Sequence, residues 1–424
     1  MNSCRQLAQP PAPRRSHRLL RSLLVATALS SAQAFDILFV AHDAGESLTL
    51  RAAMVSLAAA GVQITVFALG EPASQLFSDA ASIKTLSPAD VGITLKIPDG
   101  FDRNLTLGEA DLQRVMHAFW MPRLVVVGMA YELQAQLAAS FRSRAPPSYV
   151  VGVSDGFALW DPSSPLHKAF VSPKRRVLDE LFCADSLAAS AAHAQSAGRV
   201  RATVTGSGTL GQWHQYAQNT TQVHATRAQI LTAHAPVWDT ASRIMVFAGG
   251  YGGEAYTRGL RIFCGAILAL RNASDLVFVF SPHPGYAPQH ERGLFEAWGC
   301  LPQRGSTLKV VSPTSEWRAP GGRLLSTAEL VAASDGSLSL DSTVGGQSLS
   351  IGKPHAYLSP HYRDVFSAAA LIPRAPTVGE LVEAVNATFR RERFRIAKDA
   401  LSIAGVPVNG SANQEARLRQ LLGP

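Results

Sequence analysis

Three short runs hold the residues whose types and spacing could do chemistry. In Ser281-Pro282-His283-Pro284 an imidazole sits between two prolines, which fix the backbone around it. Asp341-Ser342-Thr343 precedes Val344-Gly345-Gly346, a sequence that opens a helix with hydroxyls beside unpaired backbone N–H groups. Ser154-Asp155-Gly156 supplies a carboxylate just past a run of valines. A helix start and a charge-assisted bond from His283 suit a phosphate on which negative charge grows as a bond breaks. A carboxylate suits removal of a proton from an attacking hydroxyl. Each run also has a plainer reading: His283 as a solvated loop residue, Ser342 as an ordinary cap, Asp155-Gly156 as a turn. His42 and Asp43, and the glycines Gly249, Gly250 and Gly253, are further candidates at strand ends.

These residues need elements to bring them to one place. Continuous apolar runs at 35–41, 62–69, 124–129 and 149–153 predict buried parallel strands, and 181–184 and 202–205 continue the series. Runs 48–60, 132–141 and 221–234 read as helices. A second series follows: strands at 244–248, 276–280, 308–311 and 337–340, helices at 254–270, 327–333, 344–351 and 378–401, with Gly352 and Pro354 stopping the third of these and a further strand beyond. This alternation predicts an α/β protein: two Rossmann-like, doubly wound parallel-sheet domains facing a cleft. The N-terminal domain would span 35–234, a linker 235–243, the C-terminal domain 244–375, and a closing helix and tail 376–424. The G-x-G-x-x-G fingerprint is absent, which argues against a dinucleotide site. Both His283 and Ser342 fall at strand ends of the second series, so one sheet rim would hold them together.

Composition sets the address. With 47% hydrophobic and 17% charged residues the chain reads as globular. Residues 1–34 stand apart: Arg5, Arg14, Arg15, Arg18 and Arg21, no acid, a short apolar run, then Ala32-Gln33-Ala34. That is the pattern of a signal peptide cut after Ala34, with an organelle transit peptide as the rival. Asparagine usage decides between them. Five of seven asparagines (Asn104, Asn219, Asn272, Asn386 and Asn409) stand in N-x-S/T, where composition gives about one. The expectation is a glycoprotein of the secretory pathway, in the ER or Golgi lumen or secreted, without a transmembrane span. The formal net charge is +8, but five of the positive charges lie in the leader, so the mature chain carries only +3 and no nucleic-acid partner is expected. Cys264 and Cys300 can pair. No C-x-x-C and no histidine cluster suggests a metal.

The ordered set resembles a known pattern. Two Rossmann-like halves, a His-Pro pair after a strand of the second half and a Ser-Thr at a later helix start resemble the GT-B glycosyltransferase superfamily, in particular the bacterial sialyltransferase-like transferases with an HP motif. Those carry an acidic-acidic-Gly motif, matched here by Ser154-Asp155-Gly156 with serine at the first acidic position. Their HP motif is matched by His283-Pro284, and their Ser-Ser or Ser-Thr motif by Ser342-Thr343. The resemblance implies a metal-independent glycosyltransferase without a cofactor, its nucleotide sugar being a co-substrate. Asp155 would be the base, with His283, Pro284, Ser342, Thr343 and the glycines on the donor and a glycan or other hydroxyl compound as acceptor near His42 and Asp43. The second half also resembles the UDP-N-acetylglucosamine 2-epimerase type. An epimerase-like isomerase or hydrolase, or an inactive GT-B binding protein, are the other functions this pattern allows.

Overall fold

The computed structural model describes residues 35–95, 104–129, 131–153, 170, 177–232, 242–250, 253–273, 275–283, 288–301, 308–310, 325–340, 342–359, 372–388 and 406–423. The runs 154–169, 284–287 and 389–405, and the single residue 341, lie outside them. Expectations that rest on Asp155, Pro284 and Asp341 therefore fall outside the described residues.

The longest apolar runs form the middle of two parallel sheets. In the first, β1 (Ile37–Ala41), β2 (Ile64–Ala68), β3 (Lys84–Leu86), β4 (Leu124–Gly128), β5 (Tyr149–Val153), β6 (Glu180–Cys183) and β7 (Arg201–Val204) lie in the order 3-2-1-4-5-6-7. Every residue of β1, β2 and β4 is buried, which is why these strands read as unbroken apolar runs rather than alternating ones. Alternate side chains still serve opposite faces. Leu38 and Val40 join one core cluster, Ile37 and Phe39 the other. Each fully buried Val, Leu, Ile or Phe contributes about 1.5–3 kcal/mol relative to exposure. The first-domain helices are α1 (Ala44–Ala59), α2 (Glu71–Phe77), α3 (Glu109–Ala118), α4 (Glu132–Arg142) and α5 (Ser186–Gln195).

The second sheet repeats the plan. Strands β8 (Arg243–Ala248), β9 (Leu276–Ser281), β10 (Leu308–Val310), β11 (Gly336–Ser339) and β12 (His355–Tyr357) take the order 10-9-8-11-12, all parallel. In both sheets the chain starts centrally, winds outward, then returns to the other side. Strand order therefore reverses between β1 and β4 and again between β8 and β11. The carboxyl ends of strands at such a reversal are where open α/β sheets leave room for a ligand. The remaining helices are α6 (Gly208–Gln218), α7 (Thr220–Thr232), α8 (Glu254–Ala269), α9 (Pro288–Ala297), α10 (Thr327–Ala333), α11 (Val344–Ser350), α12 (Val378–Thr388) and α13 (Gly410–Leu422).

Two crossings tie the domains. Trp213 of α6 and Ile230 and Leu231 of α7 pack in one cluster with Ile244, Val246, Val277 and Val279 of the second sheet. The chain thus changes core by Trp213, ahead of the stretch 235–243 expected as a linker, most of which lies outside the described residues. It then returns. Leu418 and Leu422 of α13 pack with Leu50, Met54 and Leu57 of α1. Arg417 donates to both oxygens of the fully buried Glu180 carboxylate, at 2.8 and 2.7 Å, and Thr203 and Tyr149 complete that carboxylate's partners. Burial pushes the Glu180 carboxyl up, but the bonds from Arg417, Thr203 and Tyr149 outweigh it and hold the group ionised. The helix expected over 378–401 is described to Thr388. A disulfide joins Cys264 of α8 to Cys300 beyond α9. Among the described residues no helix is long and apolar enough to cross a membrane.

Candidate functional site

The rim of the second sheet is built from the ends of β8, β9 and β11. Beyond β8 the chain enters Gly249-Gly250. The backbone N–H of Gly249 donates to the carbonyl of Ser281, the last residue of β9, at 2.7 Å. A Cβ at position 249 would lie 2.7 Å from the backbone nitrogen of His283 and 3.0 Å from the Ser281 oxygen. Only glycine lets the two loops approach this closely. Gly253 is required for a different reason: its φ of +112° just before α8 is a conformation that L side chains avoid. Gly250 has no such constraint, since a Cβ there would meet the Tyr256 ring at an ordinary 3.5 Å.

His283 stands two residues past β9 and is half-buried. Burial pushes its imidazole down to about 4, so it is neutral near pH 7. A neutral ring would offer a phosphate an ordinary hydrogen bond, not the charge-assisted one expected from the sequence. Behind it, the Ser281 hydroxyl pairs with Thr327 Oγ1 at 2.8 Å, fixing the end of β9 to the start of α10. Deeper still, Tyr256 donates to the buried Glu291 carboxylate at 3.2 Å, and burial pushes that carboxyl up. Nothing in the sequence marks Tyr256 or Glu291, because their pairing comes from α8 and α9 packing together.

Ser342 and Thr343 form the turn between β11 and α11. The Ser342 hydroxyl accepts the Val344 N–H at 3.3 Å, so it closes the turn as a cap does. Thr343 occupies the N-cap position, but its side chain makes no capping hydrogen bond. The Ser342 backbone is held at both ends: its N–H donates to Ser339 Oγ at 3.3 Å, and its carbonyl accepts from the Tyr357 hydroxyl at 3.2 Å. A Cβ on Gly345 would overlap that hydroxyl. Position 345 therefore has to be glycine for the tyrosine to lie against the helix start.

In the first domain His42 and Asp43 follow β1. The Asp43 carboxylate accepts the Glu46 N–H at 3.2 Å, and Glu46 answers by accepting from the backbone N–H groups of His42 and Asp43. This is a capping box opening α1, and it assigns Asp43 a structural task. Glu46 is buried and also accepts from Gln134 at 2.7 Å. Its carboxylate occupies the space that a side chain at Gly128 of β4 would need. The His42 ring stacks on Tyr131, centroids 3.7 Å apart, and burial pushes it down to about 4. A neutral imidazole with an aromatic partner thus stands at the switch point of the first sheet. Among the described residues, no group of three or more His, Cys, Asp or Glu is placed to hold a metal ion. Asn104, Asn219, Asn272, Asn386 and Asn409 are all exposed.

No family model and no curated protein matches this sequence. Solved structures do match. One is the UDP-GlcNAc 2-epimerase of Neisseria meningitidis bound to UDP-GlcNAc, with a TM-score of 0.63 over 92% of this chain and 100% of that one, at 14% identity. The fold is GT-B. The UDP-GlcNAc 2-epimerase of Methanocaldococcus jannaschii in complex with UDP-GlcNAc and UDP matches at TM-score 0.57 and 12% identity, covering 91% of this chain and 99% of that one. The glycotransferase of kitacinnamycin matches at TM-score 0.55 and 11% identity, covering 92% and 100%. These similar proteins are enzymes. Identities this low speak for the fold alone.

Proposed function

We propose that this protein is a nucleotide-sugar enzyme of the GT-B fold, and specifically a glycosyltransferase acting on a hydroxyl acceptor such as a glycan. The observation that carries the reading is the register of β8, β9 and β11, with Ala248 opposite both Ser281 and Ser339, so that the loops carrying Gly249, His283 and Ser342 leave one rim at the switch point of the second sheet. Gly249 and Gly250 bring backbone close to the ligand, Gly253 shapes the entry to α8, and neutral His283 donates one hydrogen bond to the donor phosphate. Pro284 belongs to the same donor-side set. Ser342 and Thr343 present the α11 turn to the same group. The solved relatives with UDP or UDP-GlcNAc support a uridine nucleotide as the first donor to test.

On the acceptor side, Asp155 is the base and His42, neutral and stacked on Tyr131, receives a hydroxyl hydrogen bond. Chemistry would proceed without a metal: the hydroxyl attacks the anomeric carbon, Asp155 takes its proton, and the bond to the nucleotide phosphate breaks with the charge held by the donor residues. A secretory address, with glycans on the five exposed asparagines, completes the reading.

Calorimetry with UDP, CDP, CMP and GDP tests the site, and failure of all four to bind removes the proposal. A second reading, a UDP-sugar 2-epimerase-like isomerase or hydrolase, is favoured by the fold likeness to the Neisseria enzyme. Nucleotide release that requires an added acceptor supports transfer. Conversion of UDP-GlcNAc without an acceptor supports the second reading. Asp155→Asn should abolish transfer while nucleotide affinity stays within a few-fold.

A further inference from the structure

His355 is a histidine in the middle of a core. It lies on β12, 3% exposed, and both ring nitrogens are bonded to serine hydroxyls: Nδ1 to Ser337 at 2.7 Å and Nε2 to Ser339 at 2.9 Å. Ser337 in turn meets Ser348 of α11 at 2.7 Å, and Ser339 receives the Ser342 N–H at 3.3 Å. Ser337, Ser339 and Ser348 are fully buried. The result is one continuous chain of hydrogen bonds, Ser342 N–H to Ser339 to His355 to Ser337 to Ser348. It leaves the turn, passes under α11 and ends near that helix's far end. Burial pushes the imidazole down to about 3, so the ring is neutral and offers one donor and one acceptor, as a chain through two hydroxyls needs.

The same strand grips the turn a second time. Residues two apart on a strand share a face. Tyr357, two beyond His355 and edge-on to its ring at 4.8 Å, donates to the Ser342 carbonyl at 3.2 Å. The N–H of Ser342 is therefore held from His355 through Ser339, and its C=O directly from Tyr357. Apolar side chains would fill a core of this size with less demand on geometry, because every buried polar group here has to find its partner. Together with Tyr357, the polar chain does what an apolar core cannot: it fixes the backbone of one residue from both sides.

We propose that His355 is the positioning residue of the nucleotide turn, holding Ser342 in register for the donor phosphate through Ser339, with Tyr357 as the second arm. This rests on the reading of the second sheet as a nucleotide site. The role differs from that of His283, which would touch the phosphate; His355 touches no ligand and acts through the backbone of the turn.

The test uses the full chain and the variants His355→Ala, His355→Gln and Ser339→Ala, with UDP as the probe. Hydrogen–deuterium exchange of the 342–346 backbone is followed beside UDP calorimetry. His355→Ala and Ser339→Ala should each speed exchange in 342–346 and weaken UDP about tenfold, while exchange in β8 and β9 stays at the wild-type rate. His355→Gln keeps a donor and an acceptor and should recover much of both. If His355→Ala does not fold, Ser339→Ala decides, since it removes a single hydroxyl. Wild-type UDP affinity and unchanged 342–346 exchange in a less stable Ser339→Ala protein would mean the chain is only packing, and the inference falls while the nucleotide reading stands. A wild-type protein that binds no nucleotide overturns both.

Discussion

The N–H of Gly249 and the carbonyl of Ser281 are hydrogen-bonded at 2.7 Å, so the loop that follows β8 is stitched to the loop that carries His283. The contact leaves no room for a side chain at 249. Gly249→Ala should force the 281–283 backbone outward, cost roughly 1–3 kcal/mol of stability, and reduce UDP binding more than that loss explains. Gly250→Ala is the control. Its Cβ meets only the Tyr256 ring at ordinary distance, so stability should change by under about 1 kcal/mol. Thermal melts and calorimetry on the two variants separate a close approach from a merely glycine-rich loop.

His283 is held neutral by burial, which lowers what its loss should cost. A neutral hydrogen bond contributes about 0.5–1.5 kcal/mol, so His283→Ala should weaken UDP about two- to tenfold. Ser342→Ala should cost less, because the backbone of the turn remains. If both hold one phosphate, the double variant should lose less than the sum of the single ones. Unchanged affinity in His283→Ala would remove this residue from the site.

The depressed histidines also set a pH dependence of stability. His42 and His283 are pushed to about 4 and His355 to about 3, all below their unfolded value of 6.5. The unfolded chain therefore binds more protons between pH 6.5 and 4, and stability rises with pH across that window. The contribution is complete above pH 6.5 and is lost as pH falls toward the folded values. Going from pH 7 to 5 should cost about 2 kcal/mol per histidine. Urea denaturation at the two pH values checks this. In His42→Gln and in His283→Gln the drop should shrink by that amount.

Much of the scaffold is legible in the sequence. The runs at 37–41, 124–128, 244–248 and 276–280 are apolar on both faces because they are interior strands, and that composition is hard to mistake. Strand β3 was missed, since Lys84–Leu86 is three residues of an exposed edge with no apolar pattern. Ser342 was legible as a turn residue, but its hydroxyl closes that turn. Its other ties run through its backbone, which leaves no mark in a sequence. Of the described glycines beyond β8, position 249 is the one fixed by a close approach, and that needs β9 to be known. His355 carried no signal in a three-residue strand, because its role comes from Ser337 and Ser339 across the ladder. The return of α13 to the first domain was equally hidden. It depends on Arg417 meeting Glu180 across more than half the chain.

That pairing gives the last prediction. Glu180 is wholly buried, and Arg417 holds both of its oxygens. Removing the arginine leaves a carboxylate in the core with, among the described residues, Thr203 and Tyr149 as its remaining side-chain partners. Breaking one side of such a pair costs about 3–5 kcal/mol, so Arg417→Ala should be strongly destabilised at pH 7. The bound state of Glu180 has its carboxyl pulled below the ordinary range, so in the wild type this stabilisation is present at neutral pH and is lost as pH falls through the folded value. In Arg417→Ala burial acts unopposed by the guanidinium, and the carboxyl protonates more easily. The deficit relative to wild type should therefore shrink between pH 7 and 4. Adding Glu180→Gln should recover part of it at pH 7, because the orphaned charge is gone. Urea denaturation of the two single variants and the double one measures all of this. A deficit that is the same at both pH values, with no recovery in the double variant, would show that α13 is held without this pair, by Leu418 and Leu422 and by the bonds of Ser411, Asn413 and Gln414 to the 205–208 backbone.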